Sequence, residues 1–301
     1  MKNITLKATG LAIAILIAAP VISHAQTTGQ GTGQSSGMGQ SSGMNQSSNQ
    51  PGATPNQQQQ APPDAKQATP PAAPALDAKE EDAFKKFSAM QAAKPEEIAK
   101  AGESFAKGFP KSNHLETVYS VLAAAYMQMN DQANMFKYGH QTLALNPANI
   151  DALAVMTVAT ARTIDTSQKA DAATKEKQVD DWGNKCIGAL QNLVKPDSVT
   201  DADFARSKDG KMAMCYSGLG LAAYNEGKVQ DAVKDFSQAT KLEGSQPDPV
   251  DLYLLGVALA TNKQYPEAIT ALQTCIKDGD PSMAQRCQEE LNNAKKAAGK
   301  Q

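Results

Sequence analysis

From about Ala78 to the end of the chain, apolar residues recur every three or four positions, and the two-residue alternation of strands is hard to find. The pattern predicts helices throughout this region. Residues 218–236, GLGLAAYNEGKVQDAVKDF, show how the helices are divided. Tyr216, Leu219, Gly220, Ala223 and Tyr224 recur at helical spacing before Glu226-Gly227, and Ala232, Phe236 and Ala239 do so after it. Gly227 suits a turn between helices. The stretch therefore reads as an antiparallel helix pair. Gly220 and Ala232 sit symmetrically about the turn and are expected to face each other, which lets two backbones close up to the ~8–10 Å of packed helices. Tyr216, Leu219 and Phe236 then fill the space toward neighbouring pairs.

The same arrangement repeats. Leu219-Gly220 recurs 36 residues on as Leu255-Gly256, Ala232 as Ala268, Phe236 as Leu272 and Ala239 as Cys275. Upstream, Tyr119, Leu122, Ala123 and Tyr126 keep the same relative spacing, and Leu153, Met156 and Thr157 follow 34 residues after Tyr119, Leu122 and Ala123. A helical bundle whose spacings agreed by chance would not keep Leu-Gly and Ala at equal separation in two copies.

These residues resemble the tetratricopeptide repeat family, a helix–turn–helix unit of ~34 residues. The copy at 213–246 carries Tyr216, Leu219-Gly220, Gly227, Ala232, Phe236 and Ala239. The copy at 249–281 keeps Leu255-Gly256, Tyr265, Ala268 and Leu272, and the copy at 116–149 keeps Tyr119, Leu122-Ala123, Tyr126 and Pro147. The last of these departs in its second helix, where Met135 and Gly139 stand in for the small and aromatic residues. The copy from 150 is irregular: Pro196 comes 49 residues after Pro147, so about fifteen extra residues lengthen its turn or its second helix. Residues 79–110 read as a degenerate first repeat, and 280–297, opening on Asp280 and Pro281, as a polar capping helix. HEAT-type repeats run ~40–47 residues, which only the irregular copy approaches. The resemblance implies an all-α fold, an α-solenoid over residues 79–298 behind a signal peptide and a disordered linker.

The N-terminus reads as that signal. Lys2 and Lys7 precede the apolar run LAIAILIAAPVI (11–22), and Ser23 and Ala25 offer small residues for cleavage after residue 25. The run is too short to span comfortably, since spanning takes ~20 residues, and no later stretch is apolar for long enough. Residues 26–78 contain no aromatic residue and consist mainly of Gln, Ser, Gly, Pro, Thr and Ala, with GQSSGM at 33–38 repeated at 39–44. Too little apolar surface is present there to offset chain entropy, so a tether is expected. The whole chain has 301 residues and a net charge of −2. Removing Lys2 and Lys7 with residues 1–25 makes it −4. That balance carries no basic footprint for nucleic acid.

Candidate chemistry is sparse. After residue 25 only His114 and His140 remain, with no Cys, Glu or His at ligand spacing, so neither metal nor cofactor is expected. The adjacent pairs Asp180-Asp181 and Glu96-Glu97 point apart on helices and read as solvated faces. Trp182 reads as a core anchor of the irregular repeat. No nucleophile–base constellation is present, and an enzyme is not expected. The four cysteines are Cys186, Cys215, Cys275 and Cys287. An even number in an exported chain suggests disulfides. Cys275 and Cys287 lie almost equally far from the turn at 279–281, and Cys186 and Cys215 flank the connection between the second repeat, the irregular one, and the third. Four buried thiols acting as small core residues remain the alternative.

The family binds peptides or protein segments on the concave face lined by the first helix of each repeat. Carried over, the inward positions are Ser120, Ala124, Met127, Ala154, Val158, Ser217, Leu221, Tyr224, Tyr253 and Val257. The Lys/Asn set with which some members clamp a C-terminal carboxylate is missing, which favours an apolar or extended segment. The resemblance thus implies an exported, periplasmic or secreted, non-enzymatic scaffold for a protein or peptide partner. The alternative is an accessory subunit of a cell-envelope assembly or secretion complex, because FAKGFPKS (105–112) resembles the N-terminal repeats of such proteins. Export is checked by the intact mass of the native protein: loss of residues 1–25 is expected, and a mass that includes them contradicts the reading.

Overall fold

The computed structural model describes residues 78–90 and 92–299. The expected signal peptide and almost all of the expected 26–78 tether lie outside the described residues. Eleven α-helices and no strand occur among the described residues. They are α1 (Ala78–Ser88), α2 (Pro95–Gly108), α3 (Leu115–Gln128), α4 (Gln132–Leu145), α5 (Ile150–Arg162) and α6 (Lys169–Gln191), followed by α7 (Asp201–Asn225), α8 (Val229–Leu242), α9 (Pro249–Thr261), α10 (Tyr265–Asp278) and α11 (Pro281–Ala298). Consecutive helices pack as antiparallel pairs, and the first helices α3, α5, α7, α9 and α11 also touch one another in order. The fold is an all-α solenoid of stacked helix–turn–helix units.

One turn recurs three times. Asn130, Gly227 and Lys263 stand at the same place in their pairs and all have positive φ, at 58°, 82° and 64°. In each, the next residue's N–H reaches back to the helix: Asp131 to the Tyr126 carbonyl at 2.9 Å, Lys228 to Ala223 at 2.8 Å and Gln264 to Leu259 at 2.9 Å. This is the glycine-type helix ending that satisfies orphan carbonyls. Gly227 was legible in the sequence because glycine favours the conformation. Asn130 and Lys263 adopt it because the packing of their helix pairs outweighs the cost.

The small residues work differently from the expectation. A Cβ on Gly220 would stand 2.9 Å from Cδ1 of Phe236, so Gly220 receives the Phe236 ring rather than Ala232. Gly256 receives Leu272 in the same way, at 2.5 Å from its Cγ. The unit of packing is therefore a glycine on the first helix under a bulky side chain on the second. Phe236 and Leu272 are fully buried as a result. In the pair α3/α4 the bulky position is Gly139, and Met156 of α5 fills the space it leaves. That exchange explains why this copy departs from the family pattern in its second helix.

The extra residues of the irregular pair go into both places the sequence left open. Residues 163–168 form the connection and α6 runs to 23 residues. The following helix also differs: α7 begins at Asp201, twelve residues before the expected 213, and is 25 residues long. Its start is capped by Thr200, whose side chain accepts from the Asp203 N–H while its own hydroxyl donates to the Asp203 carboxylate. Thr200-x-x-Asp203 is a capping signal that the apolar pattern alone passes over. At the C-terminus Asp280 caps α11 as expected, accepting from the N–H groups of Ser282 and Met283.

The helix α5 lies at the centre of the stack. All ten residues from Ala152 to Ala161 are buried. Val155 and Ala159 belong to the core shared with α2–α4, Leu153 and Ala154 to the core around Cys186 and Cys215, and Ala161 to the core of α7–α11. A helix buried on every side needs small residues wherever a neighbour comes close. The closest neighbour is α7: a Cβ on Gly218 would stand 2.9 Å from the Thr157 carbonyl carbon and 3.0 Å from its oxygen.

Two substitutions test these contacts by denaturant unfolding. Gly218→Ala pushes against backbone that cannot swing aside, and a loss of ~1–3 kcal/mol is expected. Lys263→Gly is expected to gain about 0.5–1 kcal/mol, because relief of a left-handed lysine (~1–2 kcal/mol) exceeds the added entropy of an unfolded glycine (~0.4–1 kcal/mol).

Candidate functional site

The ten inward positions divide into two groups. Ser120, Ala124, Ala154, Val158, Ser217, Leu221 and Tyr224 are buried within the chain, and Met127, Tyr253 and Val257 are partly exposed. The physical cause is the close spacing of the first helices. With α5 and α7 held together at Thr157 and Gly218, positions that would line an open groove become contacts between units.

Polar side chains at these positions are used the same way. Ser120 and Ser217 occupy equivalent places in their pairs. Ser120 Oγ donates to Asn149 Oδ1 at 3.3 Å, and Asn149 in turn caps α5 by accepting the Ala152 N–H at 2.9 Å. Ser217 Oγ donates to Asp251 Oδ1 of α9 at 2.5 Å. The Tyr224 hydroxyl lies 3.1 Å from Thr261 Oγ1 at the end of α9. Each bond ties one unit to the next. Tyr253 holds the position equivalent to Ser120 and Ser217 in the last regular pair, where the next element is the capping helix. Burial first, and then the Glu290 carboxylate of α11, push its phenol above the ordinary range, and Arg286 opposes them.

His114, His140 and Trp182 all make packing contacts within the chain. Phe84 stacks on His114 with ring centres 3.7 Å apart, and His114 Nε2 lies 2.8 Å from Glu81 Oε1, so His114 fastens α1 to the start of α3. Glu81 and His114 are 33 residues apart, which is why spacing did not show the pair. Trp182 packs against the middle core in an edge-type contact with His140, ring centres 6.1 Å apart. A second, part-buried cluster was also missed. Tyr126 and Tyr138 both donate to Glu103 Oε1, at 2.8 and 2.9 Å, and tie α2 to α3 and α4. Burial, followed by that carboxylate, raises both phenols, Tyr138 to about 12. The signal for it was the Tyr126/Tyr138 interval of twelve residues, which spans the turn.

Carboxyl groups gather along α6 and α8. Burial first lifts Glu176, Asp180 and Asp235 above the ordinary carboxylate range, Asp235 to about 6. Glu226 adds to the effect at Glu176 and Asp180, while Lys228, paired with Glu226, opposes it. Asp180 therefore does not lie on a fully solvated face, whereas Asp181 is exposed. No grouping of three or more His, Cys, Asp or Glu side chains able to hold a metal occurs among the described residues.

The cysteines form two disulfides, Cys186–Cys215 joining α6 to α7 and Cys275–Cys287 joining α10 to α11. Their Cα separations are 6.5 and 6.2 Å. All four residues are fully buried. The first bridge fixes the lengthened α6 to the unit that follows it, and the second fixes the terminal cap.

No family model and no curated protein matches the sequence. Among solved structures the chain is similar to a thermophilic TPR protein of Thermus thermophilus, at 15% identity and a TM-score of 0.43, over 70% of this chain and 98% of that one.

Replacing Cys275 and Cys287 together by Ser removes a short covalent loop and leaves polar groups in a dry site. A loss of about 2–4 kcal/mol in unfolding free energy is expected. Because the bridges are buried, native protein incubated with mild reductant should show no free thiols until denaturant is added. Rapid thiol release from the folded chain would contradict the packing.

Proposed function

We propose that this chain is an exported, non-enzymatic scaffold that binds a segment of another protein through the part of the inner face its own packing leaves open. The observation that carries the reading is a stack of helix pairs whose first helices retain partly exposed apolar side chains, Met127 on α3 and Tyr253 and Val257 on α9. Tyrosine offers apolar area at low entropic cost with a hydroxyl at its tip, and it is frequent among interface anchors. The partner segment is apolar in character. The seven buried positions contribute indirectly, by holding α3, α5, α7 and α9 in place. Ser120, Ser217 and Tyr224 are already committed to Asn149, Asp251 and Thr261.

Export is supported by two buried disulfides, since such bonds persist outside the reducing cytosol. No helix among the described residues is long and apolar enough to cross a membrane. On this reading residues 1–25 direct export and residues 26–78 tether the helical stack.

A photo-crosslinking amino acid placed at Val257 in the full chain is expected to capture a protein in the compartment where the chain resides. The same probe at Lys241, exposed on α8, should capture none of that protein. Tyr253→Ala should weaken the captured interaction by about tenfold or more with the helical circular dichroism unchanged. Equal capture from both positions, or undiminished binding by Tyr253→Ala, would sink the assignment.

A further inference from the structure

Three carboxyl groups meet where the pair α7/α8 gives way to α9/α10. Glu243 closes α8, Asp248 caps α9 and Asp251 lies in the first turn of α9. Asp251 is only 6% exposed. The Asp248 backbone N–H donates to Glu243 Oε2 at 2.9 Å, which holds the Glu243 carboxyl over the start of α9. There it faces the carboxyl of Asp251. An ionised carboxylate only accepts, so two carboxyls bonded to each other need a proton between them. The other groups facing the pair come from every side. Ser217 of α7 donates to Asp251, Arg162 at the end of α5 attracts it, and Asp248 repels it. The Asp248 carboxylate is itself engaged by the Val250 N–H at 2.8 Å. From α10 the uncharged Cys275 Sγ lies 3.2 Å from the carbonyl of Pro249, at the start of α9.

We propose that Glu243 and Asp251 share a proton and act as a pH-sensitive latch, tying the end of α8 to α9 and, through Ser217, to α7. The latch is closed while the proton is held and released in alkali. Once both groups ionise, two like charges face each other in a desolvated joint with the Asp248 charge beside them, against the attraction of Arg162 and the hydrogen bonds from Ser217 and the Asp248 N–H. Burial is the first cause lifting both carboxyls above their ordinary range, followed by the Asp251 charge for Glu243 and the Asp248 charge for Asp251. The folded state therefore holds more protons than the unfolded one. The stabilisation is complete below the ordinary carboxylate range and is lost as pH rises through the elevated values.

Glu243→Gln supplies an N–H that bonds Asp251 at any pH. The experiment compares denaturant unfolding of the full oxidised chain and this variant between pH 5 and pH 9.5. The unfolding constant of the wild type relative to the variant should rise with pH, by up to about tenfold per unit for each proton the folded state retains. Parallel profiles would overturn the proposal. Should the variant not fold, the carboxyl ¹³C shifts of Glu243 and Asp251 in the wild type decide instead. One of the two groups still protonated at pH 7 supports the latch, and both fully ionised by pH 6 refutes it.

Discussion

The close approach of α5 and α7 governs the rest of the structure. Gly218 leaves no room for even a methyl group against the Thr157 backbone. Two first helices at that distance bury α5 completely, and burial on every side restricts α5 to Ala, Val, Leu, Met and Thr between residues 152 and 161. The hydroxyl of Thr157 is satisfied within its own helix, donating to the Leu153 carbonyl at 2.6 Å. The helix α5 contributes to all three cores and so links the packing of the units on either side of it.

That packing limits how much of the expected inner face is accessible. In an open solenoid the first helices line a long groove. Here Ser120, Ser217 and Tyr224 spend their polar groups on the next unit, and Ala154 and Val158 are sealed inside. Of the ten positions, Met127, Tyr253 and Val257 keep partly exposed apolar side chains. The polar bonds between units also specify register: Ser217 can meet Asp251 only when α9 is seated correctly on α7. Burying such groups is tolerable because each has its partner.

The repeat architecture was legible in the sequence because its cause is local. A glycine under a bulky residue sixteen positions on, and a turn residue between them, leave the same imprint in each copy: Gly220 with Phe236, and Gly256 with Leu272. The identity of the packing partner was not legible, since symmetry about a turn suggested Ala232 and the geometry selects Phe236. The Cys275–Cys287 bridge was legible because the two residues lie almost equally far from a turn, whereas Cys186 and Cys215 were marked only by flanking a connection. The early start of α7 was hidden by a polar stretch with few apolar positions, although Thr200 and Asp203 marked it. Degree of burial was the least accessible property. It depends on how closely α3, α5, α7 and α9 approach one another, which is set by Gly218 and Thr157 from different units and by no periodicity within one. The Glu243–Asp251 pair and the Glu81–His114 pair were missed for the same reason.

Native-state hydrogen exchange of the α5 amides tests this account most directly. A helix buried on every side and shared by three cores can exchange only when the whole stack opens, so residues 152–161 should exchange with the free energy of global unfolding and lose protection in step with denaturant. Exchange of those amides at a markedly lower free energy than global unfolding, with α8 and α10 still protected, would contradict the claim that the α5–α7 contact holds the structure together.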